Sequence, residues 1–233
     1  MPEILDIPEG TTRITNEEYF GSYDPTVYHN PAAAVDVVLV DPELRVRLIR
    51  RQNPPDHLKL ALPGAFVLVD ETLADTARRA VRRYAPEITG EVRPLQMRVF
   101  DSIHRDPRDR VLSHAHLCPV PTAYPDIDGW VAIEATLLWD LAFDHALILL
   151  EAVDQLRRRV WDSEVMSAFL PDRFTITEYK AVVERCTRQG YNTSNLRKKL
   201  LTENVICPVG EKGQGKRTLY AFSSEFSDPQ SVP

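Results

Sequence analysis

The sequence predicts an α+β fold in two parts: a mixed strand body with one internal helix, then a small helical piece closed by a hairpin. Three observations carry this. Short strand-like runs crowd the first 141 residues and enclose one helical stretch, "LADTARRAVRRYA"; that grouping fits an α+β sandwich rather than a doubly wound sheet. A long amphipathic helix follows, "AFDHALILLEAVDQLRRRV", from Ala142 to Val160. Charge is also unevenly placed. Residues 172–222 hold ten Lys/Arg against five Asp/Glu, while the whole 233-residue chain has a net charge of -6. An acidic body with a basic end points to two units with different partners.

The elements follow in order. Residues 1–29 are polar and turn-rich and read as an arm. "AAAVDVVLV" (Ala32 to Val40) is a buried strand, and "DPE" is a turn. "LRVRLIRRQ" alternates Leu44, Val46 and Leu48 against Arg45 and Arg47, which reads as the hairpin partner. "GAFVLVD" is the next short strand. The internal helix comes after it and ends at Pro86. "VRPLQMRVFDSI" and "VLSHAHLCPV" are strands joined by the loop "HRDPRDR", and "GWVAIEA" supplies one more. In the long helix Leu149, Val153, Leu156 and Val160 share a face. Its first half, "ALILL", is apolar almost all round, which places it between domains or protomers.

The C-terminal piece is compact. "TITE" (Thr175 to Glu178) is a capping box. Tyr179, Val182, Val183 and Cys186 give that helix an inward face, and Gly190 stops it. Asn192 caps a second helix whose apolar stripe is Leu196 and Leu200. "CPVGEKGQGKRTLYAFS" is a hairpin with Thr218, Tyr220 and Phe222 on one face. Helix, turn, helix and basic hairpin outline a winged helix-turn-helix. The expected divisions are an arm at 1–29, a body at 30–141, a linker or dimer helix at 142–162, and a winged helix at 163–233.

Apolar residues make up 43% of the chain, enough for a substantial core. Cys118, Cys186 and Cys207 are far apart and fit no zinc spacing, so they read as free thiols of a reducing compartment. The N-terminus has no signal pattern, and no apolar run approaches a membrane span. The expectation is a cytoplasmic protein with no membrane partner.

The stretch "LPGAFVLVDETLADTARRAVRRY" resembles the Nudix box, which places a Gly, then Glu after five residues, then Arg-Glu, a Glu pair and a closing Gly. The opening Gly is Ala65 here. Glu71 and Arg79 are retained. The next Glu is Ala80, the metal-binding pair is Arg83 and Tyr84, and the closing Gly is Pro86. Phosphoanhydride hydrolysis on this frame needs several carboxylates holding divalent cations. Arg79, Arg82 and Arg83, at i, i+3 and i+4 on one helix face, repel such cations and offer forks to phosphate; a solvated basic face is the alternative. No catalytic residue, metal site or cofactor is therefore expected.

In "HRDPRDRVLSHAHL", Arg105 and Arg108 flank an Asp106-Pro turn and can present guanidinium groups to an anion. An ordinary turn with its own Asp–Arg pairing is the alternative. His114 and His116 alternate on a strand and read as core or pocket-lining rather than as a metal pair. Asp144 suits a helix N-terminus, and structural roles are the default for it and His145.

Five segments in order, "RDPRDRVLS", "LAFDHALILLEAVDQLRRR", "FLPDRFTITEYKAVVE", "NLRKKLL" and "RTLY", resemble the Nudix-related transcriptional regulators of the NrtR type, over roughly Asn30 to Phe222. The resemblance implies a Nudix-like α/β/α sandwich with a C-terminal winged helix-turn-helix. It further implies a homodimer on a palindromic double-stranded operator, with ADP-ribose or a related NAD metabolite as effector. Genes of NAD biosynthesis or sugar utilisation are the implied targets, and repression relieved by ligand is the expected sense. The implied ligand-binding residues are Arg51, Gly64, Phe66, Glu71, Arg79, Arg82, Arg83, Arg105, Asp106 and Arg108. "LALPGA" and "FDSIH" depart from the family beside the pocket, which leaves room for a sugar phosphate or another nucleotide.

For DNA, Asn195 with Arg197 or Lys198 are the candidates for bases. Thr177, Thr193, Lys199, Lys216 and Arg217 are candidates for phosphate, with Asn192 at the helix start. Two rival readings are a hydrolase of nucleoside diphosphate derivatives working through Glu71 and Asp75, and an assembly module that binds no DNA.

Overall fold

The computed structural model describes Asp24 and residues 30–125, 127–212 and 217–223, without the side chains of 211 and 212. The expected arm, apart from Asp24, and the wing residue Lys216 lie outside the described residues. The described residues from 32 to 223 group as one compact unit.

The body contains β1 (Ala32–Val40), β2 (Arg45–Arg47), β3 (Ile49–Arg50), β4 (Leu60–Ala61), β5 (Gly64–Phe66), α1 (Leu73–Tyr84), β6 (Leu95–Phe100), β7 (Val111–Pro119), β8 (Trp130–Ala132) and α2 (Ile133–Thr136). One mixed sheet runs β6-β7-β1-β2-β8, and β5 also pairs with β1. β1 and β7 are parallel along their whole length, from Ala32↔Val111 to Val40↔Pro119. β3 and β4 form a separate two-stranded ribbon.

β1 is central and covered on both faces, which is why it reads as a nearly continuous apolar run. Strand parity assigns the faces. Val35, Val37 and Leu39 pack with Ala77, Ala80 and Val81 of α1. Val38 and Val40 pack in a second cluster with Ile148 and Leu149 of α3 (His145–Arg159). Asp36 shares the second parity, so the one charge in β1 faces α3. The "DPE" turn is held by Asp41, whose Oδ1 accepts from the backbone N–H of Glu43 at 2.9 Å and Arg45 at 2.8 Å.

Four expected strands are shorter than their composition suggests. "VRPLQMRVFDSI" is strand only over Leu95–Phe100, and "GWVAIEA" only over Trp130–Ala132, where a helical turn takes over at Ile133. "LRVRLIRRQ" divides, because the Leu48 N–H donates to the Gly129 carbonyl at 2.8 Å and the chain leaves β1 for the β3–β4 ribbon. "GAFVLVD" is strand only to Phe66; Leu68 is half-exposed and Val69 wholly exposed. α1 starts at a capping box of Thr72 and Asp75 and has Ala85 as C-cap, just before Pro86.

The C-terminal portion holds α4 (Ser163–Phe169), α5 (Ile176–Thr187), α6 (Thr193–Thr202) and the antiparallel hairpin β9 (Ile206–Lys212) and β10 (Arg217–Phe222). The Thr175–Glu178 capping box forms as expected. Asn192 caps α6 by accepting from the N–H groups of Ser194 and Asn195, both at 3.0 Å. Helix α5 ends at Arg188, which takes the left-handed conformation at φ 56, and not at Gly190. The Tyr191 N–H donates to Glu184 Oε1 at 2.7 Å and fixes this early turn. Burial among these helices pushes the Cys186 thiol up to about 12.

α3 joins the two parts. Its buried Ile148, Leu149, Ala152 and Leu156 belong to one apolar cluster with Phe169, Tyr179, Val182, Cys186 and Leu196. The core therefore runs unbroken from the sheet into the winged portion. The other side of α3 is uncovered in the single chain, with Leu147 54% and Leu150 50% exposed. No helix among the described residues is long and apolar enough to cross a membrane.

Candidate functional site

A cavity of about 160 Å³ opens beside β1 and β5, walled by Asp36, Arg51, Gly64, Phe66, Asp106, Arg108, Phe143 and His145 among others. Its floor is a buried charge network. Arg105 grips Asp144 with two hydrogen bonds, Nε to Oδ2 at 3.0 Å and Nη2 to Oδ1 at 2.7 Å, and reaches Asp36 Oδ2 at 3.2 Å. Ser113 Oγ donates to Asp36 Oδ2 at 2.6 Å. Burial works against the Arg105 charge, but the Asp144 hydrogen bond and the Asp36 charge hold its pKa above the ordinary value.

His145 sits in the first turn of α3. Its Nδ1 accepts the Leu62 N–H at 2.9 Å, so the ring proton belongs on Nε2, which stands 3.4 Å from Asp36 Oδ1. Complete burial pushes its pKa down, and it is neutral at pH 7. Gly64 is required at the wall: a Cβ there would lie 2.4 Å from Asp36 Oδ1.

The rim combines aromatic faces with guanidinium groups. Arg51 lies 4.5 Å over the Phe143 ring. Arg108 lies 5.5 Å from Phe66 and 5.8 Å from Phe143. It also binds Asp106 through Nε at 3.0 Å and Nη2 at 2.6 Å. Planar faces beside half-exposed cations suit a ligand with a ring and a phosphate.

The candidate ligand residues thus divide. Arg51, Gly64, Phe66, Asp106 and Arg108 gather at the cavity. Arg105 lines it too, but its guanidinium is turned inward onto Asp36 and Asp144, because a side chain only 4% exposed needs its carboxylates. Glu71 and Arg79 bind each other, at 2.7 and 2.8 Å, and Arg79 Nη2 donates to the Phe66 carbonyl at 2.7 Å. That pair braces the cavity wall from behind. The Arg79 hydrogen bond holds the Glu71 pKa below the usual carboxylate value. Arg82 and Arg83 are exposed outside the cavity, so the three-arginine face does not assemble around it. His114 and His116 pair in register with Val35 and Val37 and face the α1 side of the sheet.

Sequence reasoning missed Asp36, Ser113 and Phe143, and left His145 without a role. A lone carboxylate inside a nine-residue apolar strand was the available signal for Asp36. Ser113 carried none.

The second surface is α6 with its hairpin. Thr193, Asn195, Lys198 and Lys199 are exposed on α6, Thr177 at the start of α5, and Arg217 on β10. Arg197 departs from expectation: its Nε donates to the Tyr220 hydroxyl at 2.6 Å. The buried Tyr220 needs that partner, and the contact holds Arg197 against the hairpin. Asn192 is likewise occupied, its side-chain oxygen taking both capping bonds. Lys199 Nζ lies 4.8 Å above the Trp161 ring.

Residues 30–150 match the NUDIX domain family. The chain belongs to the Nudix family. Residues 166–222 match the NrtR DNA-binding winged helix domain, so this Nudix protein carries that domain behind its α3 helix. It is 26% identical over 231 residues to the ADPR responsive transcriptional repressor NtrR of Acinetobacter baylyi, covering 92% of this chain and 91% of the relative. It is 32% identical over 129 residues to the ADP-ribose pyrophosphatase of Methanocaldococcus jannaschii, covering 53% of this chain and 73% of that one. Crystalline Shewanella oneidensis NrtR shares the fold with a TM-score of 0.72 at 21% identity, over 84% of this chain and 96% of that chain.

Nudix hydrolysis draws on divalent cations held by carboxylates of the box helix. Those positions here are Ala80, Arg83 and Tyr84, and the remaining Glu71 is engaged by Arg79 and Thr76. This donor set does not fit such a cation. Among the described residues no group of three His, Cys, Asp or Glu is placed to hold a metal.

Proposed function

We propose that this Nudix protein is a transcriptional repressor whose pocket senses ADP-ribose, or a closely related phosphorylated metabolite, without cleaving it, and whose winged helix releases a palindromic operator in response. One observation carries the reading: a Nudix cavity with its metal donors replaced shares one continuous core with a winged helix whose basic face is open. The likeness to an ADPR responsive repressor along 92% of the chain supports it.

In this reading residues 30–141 form the ligand domain, 142–162 the linking and dimer helix, and 163–233 the DNA-binding domain. Arg51, Gly64, Phe66, Asp106 and Arg108 contact the effector. Asn195 and Lys198 face bases, while Thr177, Thr193, Lys199 and Arg217 meet phosphates. The exposed Leu147 and Leu150 of α3 join two protomers into the dimer that a palindrome requires.

A gel shift on the duplex upstream of the protein's own gene tests it, with ADP-ribose, NAD metabolites and sugar phosphates added in turn. Retarded duplex that ADP-ribose releases supports the proposal; no binding at low salt, or release by sugar phosphates alone, contradicts it. The retained Glu71 and the pyrophosphatase relative favour hydrolysis as a second reading. Magnesium-dependent ADP-ribose turnover abolished by Glu71→Gln would select that one.

A further inference from the structure

The two sites stand at opposite ends of one helix. The N-terminal end of α3 and the two residues before it are fastened to the cavity on three sides: Asp144 to Arg105, and through it to Asp36, His145 to the Leu62 backbone, and Phe143, in the left-handed region at φ 53, under Arg51. Fifteen residues later, about 22 Å along the axis, the helix closes at Val160, which is fully buried. The next residue, Trp161, stands edge-on to Tyr191 with ring centres 5.4 Å apart, and Lys199 Nζ lies 4.8 Å above its ring. Tyr191 belongs to the turn leading into α6, and Lys199 belongs to α6 itself.

We infer that α3 transmits ligand occupancy to the DNA-binding helix as a rigid rod, and that Trp161 is the positioning residue through which it does so. This rests on the proposed sensing function. The middle of the rod cannot absorb a displacement, because Ile148, Leu149, Ala152 and Leu156 are close-packed in the shared core. A ligand that shifts the Asp144–Arg105 floor therefore moves the far end, and Trp161 carries Tyr191 and the Lys199 ammonium with it. A second path, from Arg188 to Glu134, is a surface ion pair with both side chains more than half exposed, and such pairs couple weakly.

The test is the ratio of duplex affinities without and with ADP-ribose, measured for the full chain and for Trp161→Ala, Trp161→Phe and Arg188→Ala. Allosteric ratios span about 5- to 150-fold. Trp161→Ala should bring the ratio close to one while leaving ADP-ribose affinity unchanged. Trp161→Phe, which keeps a ring, and Arg188→Ala should retain it. An undiminished ratio in Trp161→Ala overturns the inference, as does its loss in Arg188→Ala alone. A wild-type ratio of one sinks the sensing function itself, which separates the two failures. Should Trp161→Ala not fold, hydrogen exchange decides in the wild type: ADP-ribose must alter protection across Thr193–Thr202, and unchanged protection there overturns the rod.

Discussion

Arg105 keeps its charge at 4% side-chain exposure because Asp36 and Asp144 both meet it. Arg105→Ala leaves two buried carboxylates facing each other, and breaking such a pair costs about 3–5 kcal/mol. Urea unfolding should show that loss; a change under about 1 kcal/mol would mean water compensates the floor. His145 gives a pH signature. Its folded pKa lies below the ordinary 6.5, so below pH 6.5 the unfolded chain binds a proton that the folded chain refuses. Stability is then fully present above 6.5 and declines as pH falls through that window. His145→Gln should flatten this decline, and an equal slope in both proteins would contradict the assignment. The sequence showed the cations of this site but not their directions. Arg105 and Arg108 are three residues apart on one loop, yet one turns into the floor and the other to the rim. The choice is made by Asp36 and Asp144, which lie 69 and 39 residues from Arg105 in the chain.

Local chemistry made several elements legible. Thr175 with Glu178, and Asn192, form caps whose partners lie within three residues, so composition alone located the starts of α5 and α6. Short strands β3 and β5 were harder, because their ends depend on pairing with distant backbone. The α5 stop was misplaced for a similar reason: Glu184 captures the Tyr191 N–H and turns the chain at Arg188, where a glycine was not needed. For α3, the half-exposed Leu147 and Leu150 predict a dimer by sedimentation equilibrium and a monomer for Leu147→Glu/Leu150→Glu; a monomeric wild type would refute the interface. For α6, Lys199→Ala should weaken duplex binding and lower the slope of log affinity against log salt by about one. An unchanged slope would remove Lys199 from the phosphate contacts. Arg197→Ala should instead lower thermal stability, since it strips the partner from the buried Tyr220.

Across the whole molecule, the acidic body and basic end announced two tasks, and the ordered segments announced their family. The continuity between them was not legible. A shared core depends on which residues of α3 meet Tyr179, Cys186 and Leu196, and periodicity identifies a buried face without naming what covers it. That continuity leaves a packed route from the cavity end of α3 to α6. The most direct test follows fluorescence anisotropy of a labelled upstream duplex, bound to the full chain, after one addition of ADP-ribose with magnesium present. A pocket that senses without cutting predicts a fall in anisotropy that persists. No fall, or a fall that recovers as ADP-ribose is consumed, would contradict it.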